Sequence, residues 1–98
     1  MVRFTITFLQ TARDDLAWFR ADERKTIYAA VMRILGTDAG TESKKRKRLG
    51  PNPLAPWELK LGMYRVFYEV VDASKVRIVA IGYKQHNDLF IRGERVQL

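Results

Sequence analysis

Apolar and polar residues alternate at the start of the chain, with Val2, Phe4, Ile6 and Phe8 set against Arg3, Thr5 and Thr7. A period of two in β-favouring residues predicts a strand over residues 2–8 with one buried face. The period then changes. Ala12, Leu16 and Phe19 fall on one helical face, with Thr11 as the expected N-cap and Asp14 near the positive end of the helix. Asp22 reads as a second cap. After it, Ile27, Ala30, Val31, Ile34 and Leu35 keep the spacing of an amphipathic helix, and Gly36 is a natural stop. Two short, closely joined helices predict a helical hairpin.

From Thr37 to Pro56 the pattern vanishes among Gly40, Gly50, Pro51, Asn52, Pro53 and Pro56. Such a length is unusual for a loop in a compact domain, so the segment is functional or its ends extend neighbouring elements. Three more strands follow over 57–61, 63–71 and 76–83, with turn signals at Gly62 and at Asp72-Ala73-Ser74-Lys75. The order is β-α-α-β-β-β. It predicts an α+β fold in which the helical hairpin covers one face of a mainly antiparallel four-stranded sheet. At 98 residues the chain reads as one domain, 1–98.

Gly62-Met63 fits a two-residue type II′ turn, with Gly at the first turn position. That turn sets the register: Leu61 opposite Tyr64, Lys60 opposite Arg65, Glu58 opposite Phe67. Trp57, Leu59, Leu61, Tyr64, Val66 and Tyr68 then make the apolar face that takes the helices. Lys60 and Arg65 share the other face, and like charges directly across a sheet destabilise it. An intervening carboxylate (Glu58, Glu69) or a bound anion relieves such a pair. The plainer reading of the same face is a solvated charge lattice.

Composition sharpens this. The net charge is +7, and all of it falls in residues 44–98, which hold twelve basic and five acidic side chains. A localised positive field favours a polyanionic partner, RNA foremost. The run Lys44, Lys45, Arg46, Lys47, Arg48 is the expected docking surface for RNA or ribosome, or else a solvated loop. There is no cysteine and one histidine, His86, which leaves no thiolate site and no ordinary zinc site; no metal and no cofactor is expected. No apolar run approaches a membrane span of roughly 20 residues, and Met1 to Phe8 lacks the regions of a signal peptide, so a cytoplasmic protein is expected.

Tyr83, Lys84, Gln85, His86, Asn87 and Asp88 form a polar cluster where the chain is expected to leave the sheet. Without metal or thiol, these groups suit RNA cleavage by its own 2′-hydroxyl. That reaction needs a base for the hydroxyl proton, an acid for the leaving 5′-oxygen and a cation for the phosphorane charge. Arg65 suits the phosphate, with Lys60 or Lys84 sharing that role; Glu58 is the candidate base and His86 the candidate acid. No serine stands in an elbow motif, and no glycine-rich loop is built to cradle phosphate.

Leu59-Lys60-Leu61, Tyr64-Arg65-Val66-Phe67-Tyr68, Val71-Asp72 and Val79-Ala80-Ile81-Gly82 resemble the RelE/ParE superfamily of type II toxin–antitoxin toxins, as do Lys47-Arg48-Leu49, Asn52-Pro53-Leu54 and Trp57-Glu58-Leu59. The RelE-like branch fits better. The resemblance spans nearly the whole chain and implies a toxin that cuts mRNA on the ribosome, arrests translation and is neutralised by a cognate antitoxin. Its partners would then be that antitoxin, mRNA and ribosomal RNA. Carried over by position, the phosphate-handling residues are Lys60, Arg65 and Lys84. Relatives that use a glutamate base and a C-terminal histidine acid point to Glu58 and His86. Two positions depart from the RelE-like pattern: Glu58 stands where a first strand lysine is usual, and Phe90 where a C-terminal tyrosine is usual. The superfamily also implies two alternatives, a ParE-like inhibitor of DNA gyrase without nuclease activity and a degenerate member that only binds RNA and antitoxin.

Overall fold

The computed structural model describes residues 3–98; Val2, the first residue of the expected opening strand, lies outside them. Strand β1 (Thr5–Phe8) leads into helix α1 (Gln10–Trp18) and helix α2 (Ala21–Thr37). Six strands follow: β2 (Arg46–Arg48), β3 (Trp57–Leu61), β4 (Tyr64–Asp72), β5 (Lys75–Gln85), β6 (Asp88–Ile91) and β7 (Glu94–Val96). The expected β-α-α-β-β-β core is therefore present, with β2, β6 and β7 added to it. Among the described residues no helix is long and apolar enough to cross a membrane.

The sheet runs β2-β3-β4-β5-β6-β7, all antiparallel, and β1 joins β5 in parallel. Strand β5 organises it. One edge of β5 takes β4; the other takes β1 along Lys75–Ile78 and β6 along Tyr83–Gln85. Between those partners the edge would hold bare backbone groups, and buried backbone groups need partners. Helix α1 supplies them. The Thr11 hydroxyl donates to the Val79 carbonyl (2.7 Å), and the Ile81 N–H donates to Asp15 Oδ2 (3.0 Å).

This corrects the role expected of Thr11. Leu9 is the N-cap of α1, and Thr11 caps a strand edge instead. Asp22 is likewise not a cap: α2 begins one residue earlier, behind Arg20, whose backbone N–H donates to Glu23 Oε1 (3.2 Å). Gly36 does not end α2, which runs on to Thr37.

Ala12, Phe19, Ile27, Val31 and Leu35 from the helices meet Trp57, Leu59, Val66, Tyr68, Ile78 and Ile81 from the sheet in the main core. Burial pushes the Tyr68 phenol up, and its hydroxyl donates to the Ala39 carbonyl (2.8 Å). The sheet's other face was expected to be open and charged. Only part of it is. Phe67, Ala80 and Leu89 are buried there beneath Ala55, with Leu49 and Leu54 from the segment before β3 packed alongside. Asn52 folds that segment. Its amide nitrogen donates to the Gly50 and Ala55 carbonyls, and its oxygen accepts from the N–H groups of Leu54 and Ala55.

Candidate functional site

Gly62 has φ +60°, while Met63 keeps an ordinary backbone, as a type II′ turn requires. The register is the expected one: Lys60 faces Arg65, Leu61 faces Tyr64 and Glu58 faces Phe67. On the helix side the hairpin is pinned by the Tyr64 hydroxyl, which donates to Glu23 Oε2 (2.7 Å); this bond to a carboxylate holds the phenol above its usual range.

Arg65 is held without a carboxylate. Its Nη1 donates to the Gly62 carbonyl (2.6 Å) and the Tyr64 carbonyl (2.9 Å), and its buried Nε has no partner among the described residues. Carbonyls orient the guanidinium but do not neutralise it. Lys60, Lys84 and Arg65 form no ion pair among the described residues. Lys84 joins the pair from β5. Arg65 faces Gly82, so Lys84 is its diagonal neighbour on the same face, roughly 7–8 Å away between backbones. The backbone N–H of Lys84 donates to the Met63 carbonyl (2.8 Å), which locks this end of β5 to the hairpin turn.

Gly82 completes the arrangement by its lack of a side chain. A Cβ there would stand 2.2 Å from the Phe90 carbonyl oxygen, so β6 crosses β5 at this point only because the position is glycine.

Other expected site residues fall differently. Glu58 is buried, 3% exposed, between Lys47 of β2 and Phe67 of β4, with no ion pair or hydrogen bond on its carboxylate among the described residues. It is not part of an open charge lattice. His86 and Asn87 (φ 53° and 70°) make the tight turn between β5 and β6, so the chain does not leave the sheet there and His86 is exposed at a hairpin tip beyond Lys84. Phe90 stacks on Tyr83 at 5.4 Å, and Tyr83 stacks on Trp18 at 5.7 Å.

The basic run is not a free loop. Arg46, Lys47 and Arg48 are strand β2, paired with Leu59, Glu58 and Trp57. Arg46 donates to the Thr41 carbonyl (2.8 Å) and pairs with Asp38 (3.6 Å), while Arg48 lies over the Trp57 ring (5.7 Å). Lys44 and Lys45 precede the strand and are exposed.

The sequence reading missed Asp15, although its signal was present: an acid three residues after Ala12 and four before Phe19 lies on the apolar face of α1. Burial raises its carboxyl above the ordinary value against the lowering effects of the Ile81 N–H and Arg92. Arg92, in the turn between β6 and β7, pairs with Asp15 Oδ1 at 3.1 Å.

One hollow of about 410 Å³ lies along residues 48–56 and another of about 320 Å³ beside Lys84; neither encloses the Lys60–Arg65 pair. Small ligands need concave, enclosing sites, whereas an extended polyanion needs only a track. No group of three metal-ligating side chains occurs among the described residues.

The architecture is thus an α+β fold with a helical hairpin on one face of a mainly antiparallel sheet, carrying at one hairpin a strip of cations that form no ion pair among the described residues. The same fold occurs in a chain of the crystal structure of the toxin–antitoxin complex RelBE2 from Mycobacterium tuberculosis. The two superpose with a TM-score of 0.73 at 21% identity, over 85% of this chain and 100% of that one. No protein-family model matches the chain, and no curated protein matches its sequence.

Proposed function

We propose that this chain, residues 1–98 as one domain, is a RelE-like toxin of a type II toxin–antitoxin system. It acts in the cytoplasm as a ribosome-dependent mRNA endoribonuclease that inhibits translation, and a cognate antitoxin neutralises it. The observation that carries this reading is Arg65, oriented by two carbonyls, facing Lys60 across a hairpin and diagonal to Lys84, with no carboxylate paired to any of the three among the described residues. The fold shared with a chain of a toxin–antitoxin complex supports it.

In the proposed reaction the 2′-hydroxyl oxygen attacks the adjacent phosphorus. Its proton passes to Glu58, the 5′-oxygen leaves with a proton from His86, and a 2′,3′-cyclic phosphate remains. Arg65, Lys60 and Lys84 stabilise the charge that builds on the phosphorane oxygens. The segment 44–48 carries the proposed contact with ribosomal RNA or message. The test follows message cleavage on programmed ribosomes. Losing a transition-state cation costs about 2.7–4 kcal/mol, so Arg65→Ala lowers the rate roughly 100- to 1,000-fold. Cleavage by Arg65→Ala at the wild-type rate would refute the mechanism.

A second reading, RNA and antitoxin binding without cleavage, is favoured by two observations. Phe90 is stacked on Tyr83 and has no proton to give, and the exposed ring of His86 is held by no hydrogen bond among the described residues. Under that reading wild type binds message and leaves it intact. A ParE-like gyrase inhibitor would instead block supercoiling with the message untouched.

A further inference from the structure

The basic run is split by the strand it forms. Successive side chains of a strand point to opposite faces. Arg46 and Arg48 face the helix side, where Asp38, the Thr41 carbonyl and the Trp57 ring hold them. Lys47 faces Glu58 across β2–β3, so it lies on the other face, the face of Lys60 and Arg65. The Lys60 N–H donates to the Lys45 carbonyl (2.8 Å), which sets Lys45 opposite Lys60. Lys45, at the entry to β2, therefore stands in register with Lys60 of β3 and Arg65 of β4, a row about 10 Å from end to end. Lys84 flanks the row at its β5 end and Lys47 at its β2 end. Lys45 and Lys47 are both exposed, and neither forms an ion pair among the described residues.

We propose that Lys45 and Lys47 are phosphate contacts of this same face and that the RNA strand crosses the sheet from β5 toward β2, while Arg46 and Arg48 belong to the fold. The proposal rests on the reading of the face as an RNA surface. Buried Glu58 holds the β3 position next to Lys60 on this face, and β2 sets Lys47 directly opposite it. A row running across the strands is longer than one phosphate needs, so it addresses the nucleotides beside the one at Arg65.

The probe is a single-stranded RNA twelve-mer methylated at every 2′-oxygen, which binds but cannot be cut by its own hydroxyl. Its affinity is measured against salt for wild type, Lys45→Ala/Lys47→Ala and Arg46→Ala/Arg48→Ala, with the melting temperature of each. Two lost phosphate contacts flatten the slope of log affinity on log salt by about 1.4. We expect that change in the lysine pair with an unaltered melting temperature. The arginine pair lowers the melting temperature and leaves the slope nearly intact. If the arginine pair fails to fold, Arg48→Ala alone, which loses only the contact with Trp57, replaces it. A wild-type slope in the lysine pair, with wild type binding well, overturns this proposal alone. Equal flattening in both pairs also overturns it. No binding by wild type even in low salt overturns the RNA surface and this proposal together.

Discussion

Replacing Asp15 by Ala tests whether α1 completes the sheet. Asp15 is 3% exposed and holds two partners: the Ile81 N–H at 3.0 Å and Arg92 Nε at 3.1 Å. Removing the acceptor strands a buried N–H, which costs about 1–3 kcal/mol. The Arg92 side chain is 57% exposed, so solvent screens its pair with Asp15, and losing it adds at most about 1 kcal/mol. The expected loss is about 1–4 kcal/mol, or a fall in melting temperature of at least about 4 °C for a domain of this size. Urea denaturation at neutral pH measures it, with amide exchange at Ile81 as the local probe. Arg92→Ala should lose only the smaller part, and Asp15→Asn, which keeps an acceptor for Ile81, should fall between. The pH dependence is fixed in sign. Burial makes the native carboxyl hold its proton more tightly than the unfolded chain does. Asp15 therefore contributes stability that declines as pH rises through the window just above the ordinary carboxylate value. The advantage of wild type over Asp15→Asn shrinks across that window. If Asp15→Ala stays within about 0.5 kcal/mol of wild type, the ordinary range for surface substitutions, the edge-capping argument is wrong.

Gly82→Ala puts a Cβ 2.2 Å from a backbone oxygen of β6, so β6 must move; a loss of about 1–3 kcal/mol by urea denaturation, with exchange protection falling first at β6, is expected, and an unchanged β6 would refute the close approach. Glu58→Gln keeps the shape of the buried side chain and removes its basicity. If Glu58 is the base, cleavage on programmed ribosomes drops about 100-fold or more with the fold intact, whereas wild-type cleavage makes Glu58 structural.

The hairpin that carries the candidate site was legible because three short-range rules agree there: alternation in β3, alternation in β4 and a glycine between them. Strands β2, β6 and β7 were not, because they are three or four residues long and, in β2 and β7, mostly charged. An element that short is stabilised by the edge it joins, and nothing local marks it. Charged edge strands also protect a sheet against further pairing, so the run in β2 serves the fold as well as any ligand. The buried half of the second face had a visible sign in Phe67, which the register set beside Lys60 and Glu58 as an apolar residue on a supposedly polar face. The Leu49–Pro56 cover could not be read, because Asn52 builds it from four hydrogen bonds within its own loop rather than from any periodic pattern.

The pairing of Lys60 with Arg65 is unfavourable in isolation, and the structure relieves it in an uneven way. Elsewhere in the molecule, exposed cations on neighbouring strands meet carboxylates: Arg77 meets Glu69 and Arg95 meets Asp88. At the hairpin the available carboxylate, Glu58, is buried one position along β3 and stays out of ion pairs among the described residues. Arg65 is instead anchored on the Gly62 and Tyr64 carbonyls, partners that fix direction and leave the full charge in place. A solvated lattice selected only for stability would place a carboxylate there. On the proposed reading, cations kept oriented and without a carboxylate partner among the described residues are relieved by a bound anion, so the feature that is unfavourable for the sheet alone would suit a phosphate chain across it.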